Sequence, residues 1–171
     1  MDVNALTDEE LENYISEAHT AARDIFSMFH IDSGVMYGIK SWFSATPSFT
    51  VNGNRYNRTY NPVFPTLADL KSYMNGILSH ELTDQLIATE MFMDYEGELY
   101  GLMATRGTSI SKRNVGMEIT SCTDTEIIYT AEIEVREYNY GAEEPDYVEY
   151  HDFIYTLTDD GWRWTDFHLC N

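Results

Sequence analysis

Apolar residues in the first part of the chain recur at helical spacing. Leu11, Tyr14, Ile15, Ala18, Ala22, Ile25, Phe26 and Phe29 share one face, which predicts a helix over residues 7–30 with that face against a core. Thr7 with Glu10 makes a capping box at its start, and Asp8 and Glu9 suit the positive end of the helix dipole. Between residues 40 and 65 the pattern breaks into Asn, Pro and aromatic positions, and Asn52-Gly53 marks a tight hairpin turn. A second helix is predicted from Thr66, capped in the pattern Thr66-Leu-Ala-Asp69, with Leu67, Leu70, Tyr73, Met74, Ile77 and Leu78 on its apolar side. Ser79 opens a shorter helix carrying Leu82, Leu86 and Ile87.

From residue 90 onward the period changes to two. "MFMDYEGELYGLMA" predicts a hairpin about Glu96-Gly97, and "VGMEITSC", "EIIYTAEIEVREYNY", "DYVEYHDFIYTL" and "GWRWTDFHL" predict further strands between turn residues. Ile127, Tyr129, Ala131, Ile133 and Val135 alternate with Ile128, Thr130, Glu132, Glu134 and Arg136, so one face is buried and the other wet. Helices followed by antiparallel strands predict an α+β fold. The expectation is one domain, 1–171, with a helical part over 7–88 and an antiparallel sheet over 90–169. The sheet curves around the first helix, an arrangement that resembles the cystatin-like roll of nuclear-transport-factor-2-like (NTF2-like) domains. Its core should include Leu11, Ile15, Phe26, Leu70, Ile77, Ile133 and Trp162.

Charge narrows the class of partner. Ten Lys+Arg against 29 Asp+Glu give a formal charge of −19, which repels phosphate backbones and anionic lipid, so no nucleic acid is expected as a partner. No stretch reaches the roughly 18–20 apolar residues of a membrane span. "MDVNALTDEELENY" has neither the basic flank nor the apolar core of a signal peptide, so an exported form is expected to carry its leader ahead of Met1.

Chemistry is sparse. No GxSxG or phosphate loop is present, and no DxDxDG calcium loop, so no catalytic residue, cofactor or metal is expected. Cys122 and Cys170 lie 48 positions apart without a CxxC or His/Cys cluster, which argues against zinc. They form either a disulfide pinning the last strand to a central one, contributing about 4 kcal/mol, or two buried thiols. His151, Asp152, Asp166 and His168 are the one set of titratable groups that paired strands would gather, although His151 and Asp152 point to opposite faces. Arg106, Lys112 and Arg113 place three basic residues in eight positions, as a solvated loop or as an internal partner for the acidic hairpin over 132–157. Asn57-Arg58-Thr59 matches a glycosylation acceptor, read as incidental.

Several segments in order carry a family resemblance: the aromatic-ended first helix, "VNGNRYNRTY", "FPTLADLKSYMNGILSHELTDQLI", "YEGELYGLMATRG" and the closing "YTLTDDGWRWTDF". Together, over roughly residues 10–168, the chain resembles the DL-endopeptidase inhibitor family of IseA type, the inhibitors of cell-separation enzymes. The resemblance implies a small secreted protein of Gram-positive bacteria without catalysis of its own. Such proteins bind NlpC/P60 cysteine peptidases that cut peptidoglycan stem peptides, and they obstruct the substrate cleft. The implied location is extracellular or at the cell wall, and a monomer is expected.

Which surface would meet the partner is a physical question, not one carried over from the family. Residues 132–157 hold eight carboxylates, one arginine and five tyrosines around Gly141-Ala142-Glu143-Glu144-Pro145-Asp146. Like charges crowded within four residues favour an exposed connection. Glu143, Glu144 and Asp146 would steer a hydrolase with a basic cleft, while Tyr138, Tyr140 and Tyr147 bury area at low entropic cost. Two other classes compete: a roll binding a small ligand or performing isomerase-like chemistry in its concave face, and a solvated module of the cell wall or of a lipoprotein.

Overall fold

Asn52 and Gly53 adopt φ of 50° and 84°, and Glu96 and Gly97 adopt 54° and 79°. Both pairs have the left-handed backbone of a two-residue hairpin turn, whose twist matches that of the strands it joins. These turns and the helix caps organise an α+β chain with two antiparallel four-stranded sheets. The computed structural model describes residues 2–29, 43–60, 62–102, 111–137 and 144–170. The chain divides into two compact units, one of Met1–Arg23 with Thr108–Asn171 and one of Asp24–Gly107.

The first unit holds most of helix α1, Asp8–Phe29. Thr7 caps it reciprocally: the Glu10 N–H donates to Thr7 Oγ1 at 3.3 Å and the Thr7 N–H to Glu10 Oε2 at 2.9 Å. Its strands are β5 (Lys112–Cys122), β6 (Glu126–Val135), β7 (Tyr147–Thr158) and β8 (Gly161–Asp166), in the spatial order β5-β6-β7-β8. Ile127, Tyr129, Ala131, Ile133 and Val135 are all buried, as the alternation requires. The Trp164 indole N–H donates to the Ala18 carbonyl at 3.1 Å, and the hydroxyls of Tyr14 and Tyr155 lie 3.3 Å apart. These contacts seat the helix on the sheet.

The second unit contains β1 (Phe43–Val51), β2 (Asn54–Thr59), α2 (Leu67–Asn75), α3 (His80–Ile87), β3 (Phe92–Tyr95) and β4 (Glu98–Leu102). Its sheet order is β1-β2-β4-β3, and α2 packs against α3 and β3. This corrects the expectation of a single sheet over 90–169. The β3–β4 hairpin does not lead into the later strands; it pairs with β2, Tyr56 opposite Leu102. Aromatic contacts account for that choice: Phe49 stacks on Tyr56 at 5.4 Å and on Tyr95 at 4.4 Å, and meets Tyr100 edge-on at 4.9 Å. Helices α2 and α3 accordingly belong with this sheet. Asn57 is buried in β2, so it is not presented as a glycan acceptor.

Of the expected core, Ile15, Phe26, Leu70, Ile133 and Trp162 are buried, while Leu11 and Ile77 are half-buried. The α2 cap gives a test of the second unit. Thr66 Oγ1 accepts from the Asp69 N–H at 3.1 Å, and Asp69 Oδ2 accepts from the Thr66 N–H at 3.2 Å. Thr66→Ala should cost about 1 kcal/mol in denaturant unfolding, with an unchanged midpoint counting against the cap.

Candidate functional site

Strand β7 carries the chemistry. Its alternate residues Glu149, His151, Phe153 and Tyr155 share one face, which runs from half-buried at Glu149 to fully covered at Tyr155. At the half-buried end the side chains converge. His151 Nδ1 lies 3.0 Å from His168 Nε2, and His151 Nε2 lies 3.0 Å from Glu149 Oε2. Lys112 Nζ donates to the same carboxylate oxygen at 2.7 Å. Cys170 completes the group: one ligand atom from each of His151, His168 and Cys170 lies within 4.8 Å of the others.

The hydrogen-bond partners constrain where the protons sit. The hydrogen bond from Lys112, then that from His151, holds the Glu149 carboxyl below its usual range. Glu149 is therefore an acceptor only, and the His151 Nε2–H donates to it. In the neutral ring the lone pair then sits on Nδ1, where it accepts from the His168 Nε2–H. Burial, with His151 adding to it, lowers the His168 pKa. Burial pushes the Cys170 thiol up to about 11, with Lys112 opposing and Glu149 reinforcing the shift. At neutral pH the metal-free side chain is a thiol rather than a thiolate, so it is not poised as a nucleophile.

The structure thus brings His151 and His168 of the anticipated set into direct contact, with neither acid hydrogen-bonded to them. Asp152 faces the other side of β7 and accepts from Thr130 Oγ1 at 2.7 Å, and Asp166 is exposed, its charge opposing the downward shift of His168. Glu149, Lys112 and Cys170 were not foreseen as neighbours of the histidines. Lys112 is the first residue of β5 and pairs with Glu149, which bears out the reading of an internal partner for the acidic hairpin over that of a solvated loop. Hairpin arithmetic held part of the signal for His168: a ladder that pairs Thr158 with Gly161 and, after a register shift, Ile154 with Asp166 brings 168 to the level of 151 and 152.

No disulfide joins Cys122 to Cys170; both thiols are free. Cys122 pairs with Ile127, which pairs with Tyr155, whereas Cys170 gathers at His151. Those levels are four residues apart on β7, about 13 Å, and β5 lies two strands away at about 4.8 Å each. A bridge needs Cα atoms within about 7 Å.

Neither a known family model nor a curated protein matches the chain. Its surfaces must therefore be read on their own chemistry. The β6–β7 connection runs from residue 136 to 146, and Tyr138, Tyr140 and Glu143 lie outside the described residues. Glu144, Asp146 and Tyr147 are exposed. The Asp146 N–H donates to the Val135 carbonyl at 2.8 Å, and the Tyr147 hydroxyl donates to Glu137 Oε1 at 3.0 Å, so the base of the connection is anchored. Continuing along β7, Val148 and Tyr150 are also exposed, Tyr150 to 68%. Tyr150, on the wet face with Asp152, is not among the tyrosines that the sequence singles out.

In the second unit, Arg58, Thr59, Tyr60, Pro65, Gly97 and Glu98 line an open cavity of about 330 Å³. Its polar groups engage one another: Arg58 pairs with Glu98, and Thr59 Oγ1 donates to the Leu99 carbonyl. Among the described residues no helix is long and apolar enough to cross a membrane.

Proposed function

We propose that this chain is a non-enzymatic, extracytoplasmic binding protein with a cystatin-like or nuclear-transport-factor-2-like roll. It inhibits peptidoglycan-cleaving NlpC/P60 DL-endopeptidases by obstructing their substrate cleft, as the family resemblance implies. The observation that carries the reading is the anchored connection at the start of β7. There exposed Glu144 and Asp146 run directly into exposed Tyr147 and Tyr150. Carboxylates steer a basic cleft over distance, and tyrosines held on a strand add contact area at small entropic cost. The net charge of −19 extends the same steering field over the whole chain.

The test is association with an NlpC/P60 catalytic domain at low and high salt. Converting Glu143→Gln, Glu144→Gln and Asp146→Asn together should slow association roughly tenfold at low salt and flatten its salt dependence. Stability should change by less than about 0.5 kcal/mol, because exposed substitutions rarely do more. Unaltered rates and salt slopes would make the connection a solvated turn. Failure of the wild-type chain to bind or inhibit any such domain would remove the inhibitor reading itself.

A further inference from the structure

We infer that His151, His168 and Cys170 form a binding site for a borderline-soft divalent metal ion, with zinc as the natural choice. Two imidazoles and a thiolate are a ligand set that selects such ions over magnesium or calcium. Bond lengths of about 2.0–2.1 Å to nitrogen and 2.3 Å to sulfur place tetrahedral donor atoms roughly 3.3–3.6 Å apart. His151 Nδ1 and His168 Nε2 already stand 3.0 Å apart, and a ring nitrogen of each histidine lies within 4.8 Å of the Cys170 sulfur. Closing on an ion therefore takes shifts on the order of an ångström or less at side-chain ends.

The surrounding groups are those a metal-binding histidine uses. Glu149 accepts from His151 Nε2, which aims the Nδ1 lone pair at the ion and makes the ring more basic. Lys112 holds that carboxylate in place. Binding exchanges the His151–His168 hydrogen bond for two metal–nitrogen bonds: the His168 proton moves from Nε2 to Nδ1, and Cys170 releases its thiol proton to solvent. One proton leaves per ion, and the metal stabilises the thiolate that burial disfavours. Three protein ligands leave a fourth position for water or for a partner's side chain. The site requires no inhibitory activity, so it stands apart from the function proposed above.

The experiment is a cobalt(II) titration of the tag-free full chain under reducing conditions. Saturation at one equivalent is expected, with a thiolate-to-cobalt charge-transfer band and the intense visible bands of a tetrahedral ion. Cys170→Ser should abolish the charge-transfer band, and Cys122→Ser should keep it. Glu149→Gln should retain the band at saturation while weakening affinity roughly 10–100-fold. A wild-type complex without the band, or with a spectrum unaltered by Cys170→Ser, overturns the site. A second measurement needs no variant: one equivalent of zinc should slow alkylation of Cys170, mapped by mass spectrometry, and leave Cys122 unchanged. Equal alkylation of Cys170 with and without zinc overturns it independently of any folding defect.

Discussion

Trp164→Ala should destabilise the first unit by about 3–5 kcal/mol, the range for deleting a buried large aromatic side chain. The residue is 0% exposed and touches Tyr155 at 4.7 Å, Phe167 at 5.5 Å, His19 at 6.0 Å and Phe153 at 6.4 Å between ring centres. Removing it opens a cavity among rigid rings that collapse poorly, and it deletes the hydrogen bond to the Ala18 carbonyl. Trp164→Phe keeps a ring but no N–H and should cost clearly less. Urea unfolding of the three proteins checks this. A loss below about 1 kcal/mol for the alanine variant would mean that this cluster is not what fastens α1 to the sheet.

Local signals were legible because they are properties of neighbours in the chain. Thr7-Glu10, Thr66-Asp69 and Ser79 each cap the helix they announce, and Asn52-Gly53 and Glu96-Gly97 each turn a hairpin. The alternation in β6 placed five residues on the buried face for the same reason. What eluded the sequence depends on pairing between distant strands. No local pattern says that β4 takes β2 as its neighbour, a choice made by the Phe49, Tyr56, Tyr95 and Tyr100 rings. In β5, register shifts at Asn114/Gly116 and Ile119/Ser121 disrupt the period of two, so its faces could not be assigned from alternation.

The candidate site shows the same division. His151 and His168 were foreseen together because one hairpin joins them, whereas Glu149 and Lys112 meet only through pairing across three strands. Two cysteines in a chain invite a disulfide between Cys122 and Cys170. The level at which each cysteine sits on the sheet decides otherwise, and level is a product of register. The acidic connection was legible as exposed, since crowded carboxylates repel, but the exposure of Tyr150 follows from which face of β7 the helix covers.

Stability should depend on pH through His19. Its ring is 8% exposed and lies 4.9 Å from Phe153, 5.1 Å from Phe167 and 5.6 Å from Tyr129. Burial, and secondarily the charge of Arg23, brings its pKa from 6.5 down to about 4. Well above pH 6.5 the imidazole is neutral in both folded and unfolded chains, and it contributes no pH dependence. As pH falls from there toward 4, the unfolded chain binds a proton that the folded chain refuses, so stability is lost across that window and the loss levels off below it. Between pH 7 and pH 4.5 the loss from this group should reach about 2–3 kcal/mol. Carboxylates titrate in the same range, so the quantity to measure is the difference between wild type and His19→Phe, which keeps a ring in the cluster but has no site for a proton. Urea unfolding at both pH values should show the variant losing about 2–3 kcal/mol less than wild type. Parallel losses in the two proteins would mean that His19 reaches water and takes up its proton without unfolding.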